Sequence, residues 1–259
     1  VRKEVEKYRT KIARILGVSA DSIIFTSGGT EANVLAVQGV EEGRVVLDGE
    51  VHPSISESVR PSRSKKVILI SSVTIENKLG REVREKRKKN NSDYPLLHID
   101  ASQSALYYPI GLETLSCDLL TLDSAKLYGP KGIGALVVRK GVKINLPPRG
   151  TPPVALIAGF AKALEIAVRD REREYRRLDY LSALFASEVQ KSFPQVLVTR
   201  ALPNVINLSV PDVLPELLVL ALDRAGLMLS AGPACNSQKP EPRETPVRFS
   251  LGRGTTEKD

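Results

Sequence analysis

Residues Leu119 to Val138, LLTLDSAKLYGPKGIGALVV, set the fold of this chain. The stretch opens as an apolar run and breaks at Asp123-Ser124-Ala125-Lys126. It then turns through glycines and closes as a second apolar run. The pattern predicts two buried strands joined by a polar turn that carries Lys126. A lysine in water has a pKa near ~10.4 and is a poor nucleophile; partial desolvation lowers it and opens Schiff-base chemistry. The plain alternative is a surface turn lysine. The segments on either side of the stretch weigh against that alternative.

Toward the N-terminus, Val1 to Leu16 reads as an amphipathic helix with Val5, Tyr8, Ile12, Ile15 and Leu16 on one face. Ile23 to Phe25 is a short strand, and Thr26-Ser27-Gly28-Gly29-Thr30-Glu31-Ala32-Asn33 leads into a helix. A strand, a glycine turn and a helix opening with free N–H groups form a ready anion site. Gly28 and Gly29 allow close backbone approach there, and Thr30 adds a hydroxyl. An ordinary glycine-capped loop fits the same residues. Val45 to Leu47 and Val67 to Ile70 are further strands, followed by His52 and by Asn77 respectively. Pro95 to Ile99 runs into Asp100-Ala101-Ser102-Gln103. An acid at the carboxyl end of an apolar strand is where open α/β sheets place ligand-binding side chains.

Toward the C-terminus, the proline-rich Asn145 to Pro153 is a candidate boundary, dividing the chain into residues 1–145 and 146–259. Val154 to Gln190 reads as one long helix, or two with a break. Strands are expected near 196–198, 205–210, 227–229 and 247–251, the last carrying Arg248. A loop, Ser230-Ala231-Gly232-Pro233-Ala234-Cys235, precedes it. Strands alternating with helices argue an α/β fold with a mostly parallel sheet.

Composition bounds the function. The 259 residues are 42% hydrophobic and 26% charged, with a net charge of +8. No apolar run reaches the ~20 residues of a membrane span, and no secretory signal is expected. Two cysteines are too few for a disulfide framework, so a reducing cytoplasm is expected. Much of the positive excess lies in the run Arg81 to Lys89, a solvated helix face or a patch for an acidic partner. It has no interleaved aromatics, which disfavours nucleic acid.

Four collinear pieces, FTSGGTEAN, AKLYGPKGIGAL, SAGPAC and VRFSLGR, with HID-x-x-Q between the first two, resemble the cysteine desulfurases. These belong to the class-V aminotransferase group of fold-type I pyridoxal phosphate (PLP) enzymes. The resemblance implies a PLP-binding domain with a mostly parallel sheet and flanking helices, then a smaller α+β domain. It implies that Lys126 carries the cofactor, Asp100 pairs with its ring nitrogen and His52 stacks on the ring. Asn77 and Gln103 would lie near the cofactor oxygen, with Gly29 and Thr30 at the phosphate and Asn77 also near substrate. Arg248 would take the substrate carboxylate, and Cys235 would be the nucleophile that accepts sulfur from L-cysteine. Thr151 matches a threonine that reaches the neighbouring subunit's phosphate, which implies a homodimer. The sulfur acceptor would be a partner such as an iron–sulfur scaffold or a tRNA-thiolation protein. No metal is implied.

One departure bears on the cofactor. Where the family has Ser-Gly/Ala-His-Lys, this chain has Asp123-Ser124-Ala125-Lys126. An acid therefore stands beside the expected phosphate. It would either turn away or stay protonated and donate. Two other functions stand beside the desulfurase: a selenocysteine lyase or other class-V reaction, and a non-catalytic partner of sulfur-carrier or scaffold proteins. Cys117, before an apolar strand, reads as a small core residue.

Overall fold

The computed structural model describes residues 1–73, 77–147, 150–231 and 247–259, without the side chains of Asn77 and Ala201. Two compact units divide at 171/172, Val1–Arg171 and Glu172–Asp259. The sequence places its boundary at 145/146, where prolines cluster. The division between the two units falls within a 39-residue helix, α5 (Val154–Ser192), in its charged run from Arg169 to Arg177.

In the first unit six strands form one sheet: β1 (Ile23–Thr26), β2 (Arg44–Asp48), β3 (Val67–Ser72), β4 (Leu96–Asp100), β5 (Leu119–Asp123) and β6 (Gly134–Val138). Their spatial order is β1-β6-β5-β4-β3-β2. β2, β3, β4 and β5 are parallel neighbours, whereas β6 is antiparallel to both β5 and β1. The cause is connection length. Helices link the parallel strands, but the turn after β5 is too short for a crossover, so β5 and β6 close as a hairpin. β1 consequently runs the same way as β2 to β5. The loops after these five strands thus leave from one edge of the sheet.

Burial follows the sequence pattern. β4 and β5 are buried along four residues each, and all of β6 is buried, as expected of strands covered on both faces. Helix α2 (Gly29–Gln38) lays Ala32, Leu35, Ala36 and Val37 on Leu69, Leu96, Leu119 and Leu136. Each leucine and valine among them contributes about 1.5–3 kcal/mol by leaving water. Helix α1 (Arg2–Leu16) buries Val5, Ile12, Ala13 and Leu16, and α5 buries Ile157, Phe160, Ala161 and Leu164. His98, on β4, is fully buried between hydroxyls: Nδ1 is 2.8 Å from Ser71 Oγ, and Nε2 is 2.9 Å from Thr121 Oγ1. Burial lowers its pKa to about 4, against an opposing pull from Asp100, so the ring is neutral.

Helix α4 (Asn77–Asn90) carries the basic run. Val83 is buried, and two arginines are engaged by acids. Arg87 forks onto the buried Asp118, with Nη1 to Oδ1 at 3.1 Å, and its Nε donates to the Pro95 carbonyl at 2.6 Å. Asp118 also accepts the Leu97 N–H at 2.8 Å and pairs with Arg139 at 3.2 Å. Arg84 pairs with the exposed Glu113 at 3.2 Å. Cys117 is a buried free thiol, pushed up to about 12 chiefly by burial, as a core residue would be.

The second unit is a four-stranded antiparallel sheet, β7 (Leu197–Leu202), β8 (Val205–Ser209), β10 (Val247–Ser250) and β9 (Ser230–Ala231), in that spatial order. Val196, Ile206 and Leu208 are its core, with Phe185 and Phe249 rings 4.9 Å apart. The strand expected at 227–229 begins instead at Ser230, where pairing with Arg248 starts. Among the described residues no helix is long and apolar enough to cross a membrane.

Candidate active site

Four of the loops on the carboxyl edge of the first unit's sheet carry the expected site residues. Gly28 to Thr30 follow β1, His52 follows β2, Asp100 to Gln103 end and follow β4, and Asp123 to Lys126 end and follow β5. The loop after β3 begins to be described again at Asn77, which opens α4; its side chain lies outside the described residues.

Lys126 is exposed in a single 3-10 turn, Ala125–Leu127. Leu127 and Gly129 both donate to the Ser124 carbonyl at 2.9 Å, which locks the turn. Tyr128 adopts φ 59°, a left-handed conformation that a bulky residue rarely takes. Such backbone strain concentrates at functional sites.

A continuous hydrogen-bond network joins the acid of β4 to the histidine after β2. Asn33, buried on α2, donates from one Nδ2 to Asp100 Oδ2 at 2.8 Å and to Ser54 Oγ at 3.0 Å. Ser54 meets His52 twice. Its Oγ is 2.7 Å from Nδ1, and its N–H donates to Nδ1 at 3.1 Å, so His52 caps the short helix α3 (Pro53–Ser56). The other oxygen of Asp100 accepts the Ser102 N–H at 3.0 Å. The carboxylate is thereby fixed in direction while remaining only half-buried. His52, Gln103, Thr30 and Thr151 are exposed.

Asp123 lies against the start of α2. Its Oδ2 accepts the Gly29 N–H at 3.1 Å, and its Oδ1 accepts the Ala125 N–H at 2.8 Å. Gly134 lets the loop come this near: a Cβ there would stand 2.8 Å from the Gly28 carbonyl carbon. Ser102 Oγ and Ser124 Oγ are buried and have no partner.

Arg248 is on β10 in the second unit, opposite Asn207 on β8 and Ser230 on β9, half-buried, with a buried Nε that has no partner. Cys235 lies outside the described residues. Asn33, Ser54 and Ser102 are additions that sequence reasoning missed. Asn33 stands one helical turn beyond Gly29 and so faces the same edge; that spacing was its only signal.

A profile of the class-V aminotransferase family matches residues 1–52, 48–149 and 148–259. Cysteine desulfurase IscS of Dictyoglomus turgidum is 33% identical over an alignment covering 100% of this chain and 81% of the relative. IscS of Rickettsia felis is 29% identical, covering 98% of this chain and 77% of the relative. Among solved structures, a NifS-like protein superposes with a TM-score of 0.84 at 25% identity, over 99% of this chain and 84% of that one. The apo cysteine desulfurase of Thermococcus onnurineus shares the fold, with a TM-score of 0.71 at 19% identity, covering 96% and 79%. A match to the family profile along the whole length, together with a relative one-third identical, decides the assignment: the chain belongs to the class-V aminotransferase family, among its cysteine desulfurases, as an enzyme of the fold-type I, PLP-dependent kind.

Proposed function

We propose that the chain is a PLP-dependent cysteine desulfurase that converts L-cysteine to L-alanine and holds the sulfur as a persulfide on Cys235. The observation that supports this most is the shared edge. A half-buried carboxylate, Asp100, ends β4 and an amine, Lys126, sits in the turn just after the adjacent parallel strand β5, with an exposed imidazole, His52, tied to the same carboxylate through Asn33 and Ser54. These residues fit the ring end of pyridoxal phosphate. Asp100 has a fixed direction and a free side for a protonated ring nitrogen, and His52 offers a flat face.

When bound, PLP supplies an electron sink for negative charge developing at the substrate's α-carbon. Lys126 would hold the cofactor, and its amine would move protons at the substrate's carbons. Asp100 would keep a proton on the ring nitrogen, and Asn33 keeps Asp100 aimed. Asn77 and Gln103 serve the cofactor's oxygen, and Gly29 and Thr30 its phosphate. Arg248 takes the substrate carboxylate as a two-pronged donor. The Cys235 thiolate attacks the substrate sulfur; the carbon–sulfur bond breaks, and the persulfide is handed to an acceptor protein, an iron–sulfur scaffold or a tRNA-thiolation protein. The working form is a cytoplasmic homodimer, with Thr151 serving the neighbouring subunit's phosphate.

The test is cofactor attachment. The protein supplied with PLP turns yellow, and borohydride fixes the cofactor to the peptide containing Lys126. Labelling at Lys131 or Lys140 in its place overturns the assignment.

A further inference from the structure

Helix α2 begins at Gly29 with no side-chain cap of its own, because Gly28 stands at the capping position. Asp123, 94 residues away, supplies that cap through the Gly29 N–H at 3.1 Å. The approach is tight: a Cβ on Gly29 would lie 3.2 Å from Asp123 Oδ2 and 3.0 Å from Ser102 Oγ. Ser102 is only 8% exposed and Ser124 is fully buried, yet neither hydroxyl has a partner. Unpaired buried hydroxyls are costly and uncommon. Ser102 Oγ stands beside the Gly29 N–H at the helix N-terminus, where such a hydroxyl is a donor for an anion. In this chain a carboxylate already sits on one of the donors.

We propose that Asp123 is a built-in competitor for the cofactor's phosphate, so that the cup of this chain gains little affinity from a dianion. The inference rests on the reading of pyridoxal phosphate as the cofactor and concerns only how its phosphate is received. A phosphate reaching for the Gly29 N–H must displace the carboxylate or stand against its charge. Either event subtracts from binding, and neither touches the ring end, where Asp100 and Lys126 act.

The experiment compares two aldehydes on apo-protein, pyridoxal phosphate and pyridoxal, by absorbance titration. Wild type, Asp123→Ser and Asp123→Asn are each titrated. Asp123→Asn preserves the shape and one acceptor oxygen, so it carries the test if the serine variant fails to fold. The preference for phosphorylated over unphosphorylated aldehyde is expected to rise at least about ten-fold in both variants, because like charges ~4 Å apart repel strongly even at a partly solvated site. Pyridoxal affinity itself stays within about two-fold of wild type. An unchanged or reduced preference overturns the proposal, as does an equal gain for both aldehydes, which would mean a general loosening of the site. Failure of all three proteins to take up either aldehyde removes the proposed cofactor and this inference with it. Uptake of both with an unchanged preference removes the inference alone.

Discussion

Asn33 Nδ2 donates to Asp100 Oδ2 at 2.8 Å, and the same nitrogen lies 3.0 Å from Ser54 Oγ. One buried amide on α2 therefore sets both the aim of the carboxylate that ends β4 and the helix cap that holds His52. Asn33→Leu keeps the volume and removes both bonds. A hydrogen bond to a charged group contributes roughly 1.5–3 kcal/mol. PLP affinity is expected to fall about ten-fold or more, and the pH at which the bound cofactor changes colour should move. A variant that loses stability but keeps both the wild-type affinity and colour transition would make Asn33 purely structural.

Asp118 separates buried from surface electrostatics. Its side chain is 3% exposed and meets Arg87, Arg139 and the Leu97 N–H, whereas Glu113, which pairs with Arg84 and Arg139, is 73% exposed. Arg139 draws Glu113 below the usual carboxylate range, yet an exposed pair is worth at most about 1 kcal/mol. Asp118→Ala leaves two arginines facing a void and should cost about 3–5 kcal/mol. Glu113→Ala should cost under about 1 kcal/mol. Urea denaturation of both variants checks the contrast; equal losses would contradict it.

His98 makes stability depend on pH. Burial lowers its pKa to about 4, so the unfolded chain takes up a proton near ~6.5 while the folded chain does not. The neutral ring's contribution is complete above ~6.5 and is lost as pH falls toward about 4. Between pH 7 and pH 5 the fall is roughly 2 kcal/mol. His98→Gln should flatten that slope, whatever its effect at pH 7. Parallel stability profiles for wild type and variant would rule the histidine out.

The fold was legible because hydrophobic period and turn residues specify it locally. LLTL and GALVV read as buried strands, and the short turn between them forces the hairpin that reverses β6. The carboxyl-edge positions of Asp100 and Lys126 follow from the same reasoning. Long-range pairs were not legible. Nothing local connects Asp123 to an N–H 94 residues earlier, nor marks Asn33 as the link between two loops. The prolines of 145–153 mark a turn in the backbone, whereas the division at 171/172 lies inside the continuous helix α5, where no turn residue marks it.

The two thiols should differ in reactivity. Burial and the charge of Asp118 push Cys117 up to about 12, so at pH 8 it is a protonated, shielded thiol. A thiol reagent should label one cysteine per native chain, Cys235, and both in denaturant. Cys117→Ser should leave the native count at one and turnover unchanged. Native labelling at Cys117 would contradict this reading.

The most direct test of the desulfurase assignment is product formation from L-cysteine by the PLP-loaded protein, wild type beside Cys235→Ser. The account predicts that wild type releases alanine and carries a persulfide on Cys235. The variant should still change colour on adding L-cysteine, since only the sulfur-attack step needs the thiolate, but yield neither product. Alanine and persulfide formed at the wild-type rate by Cys235→Ser, or no alanine from a PLP-loaded wild type, would contradict it.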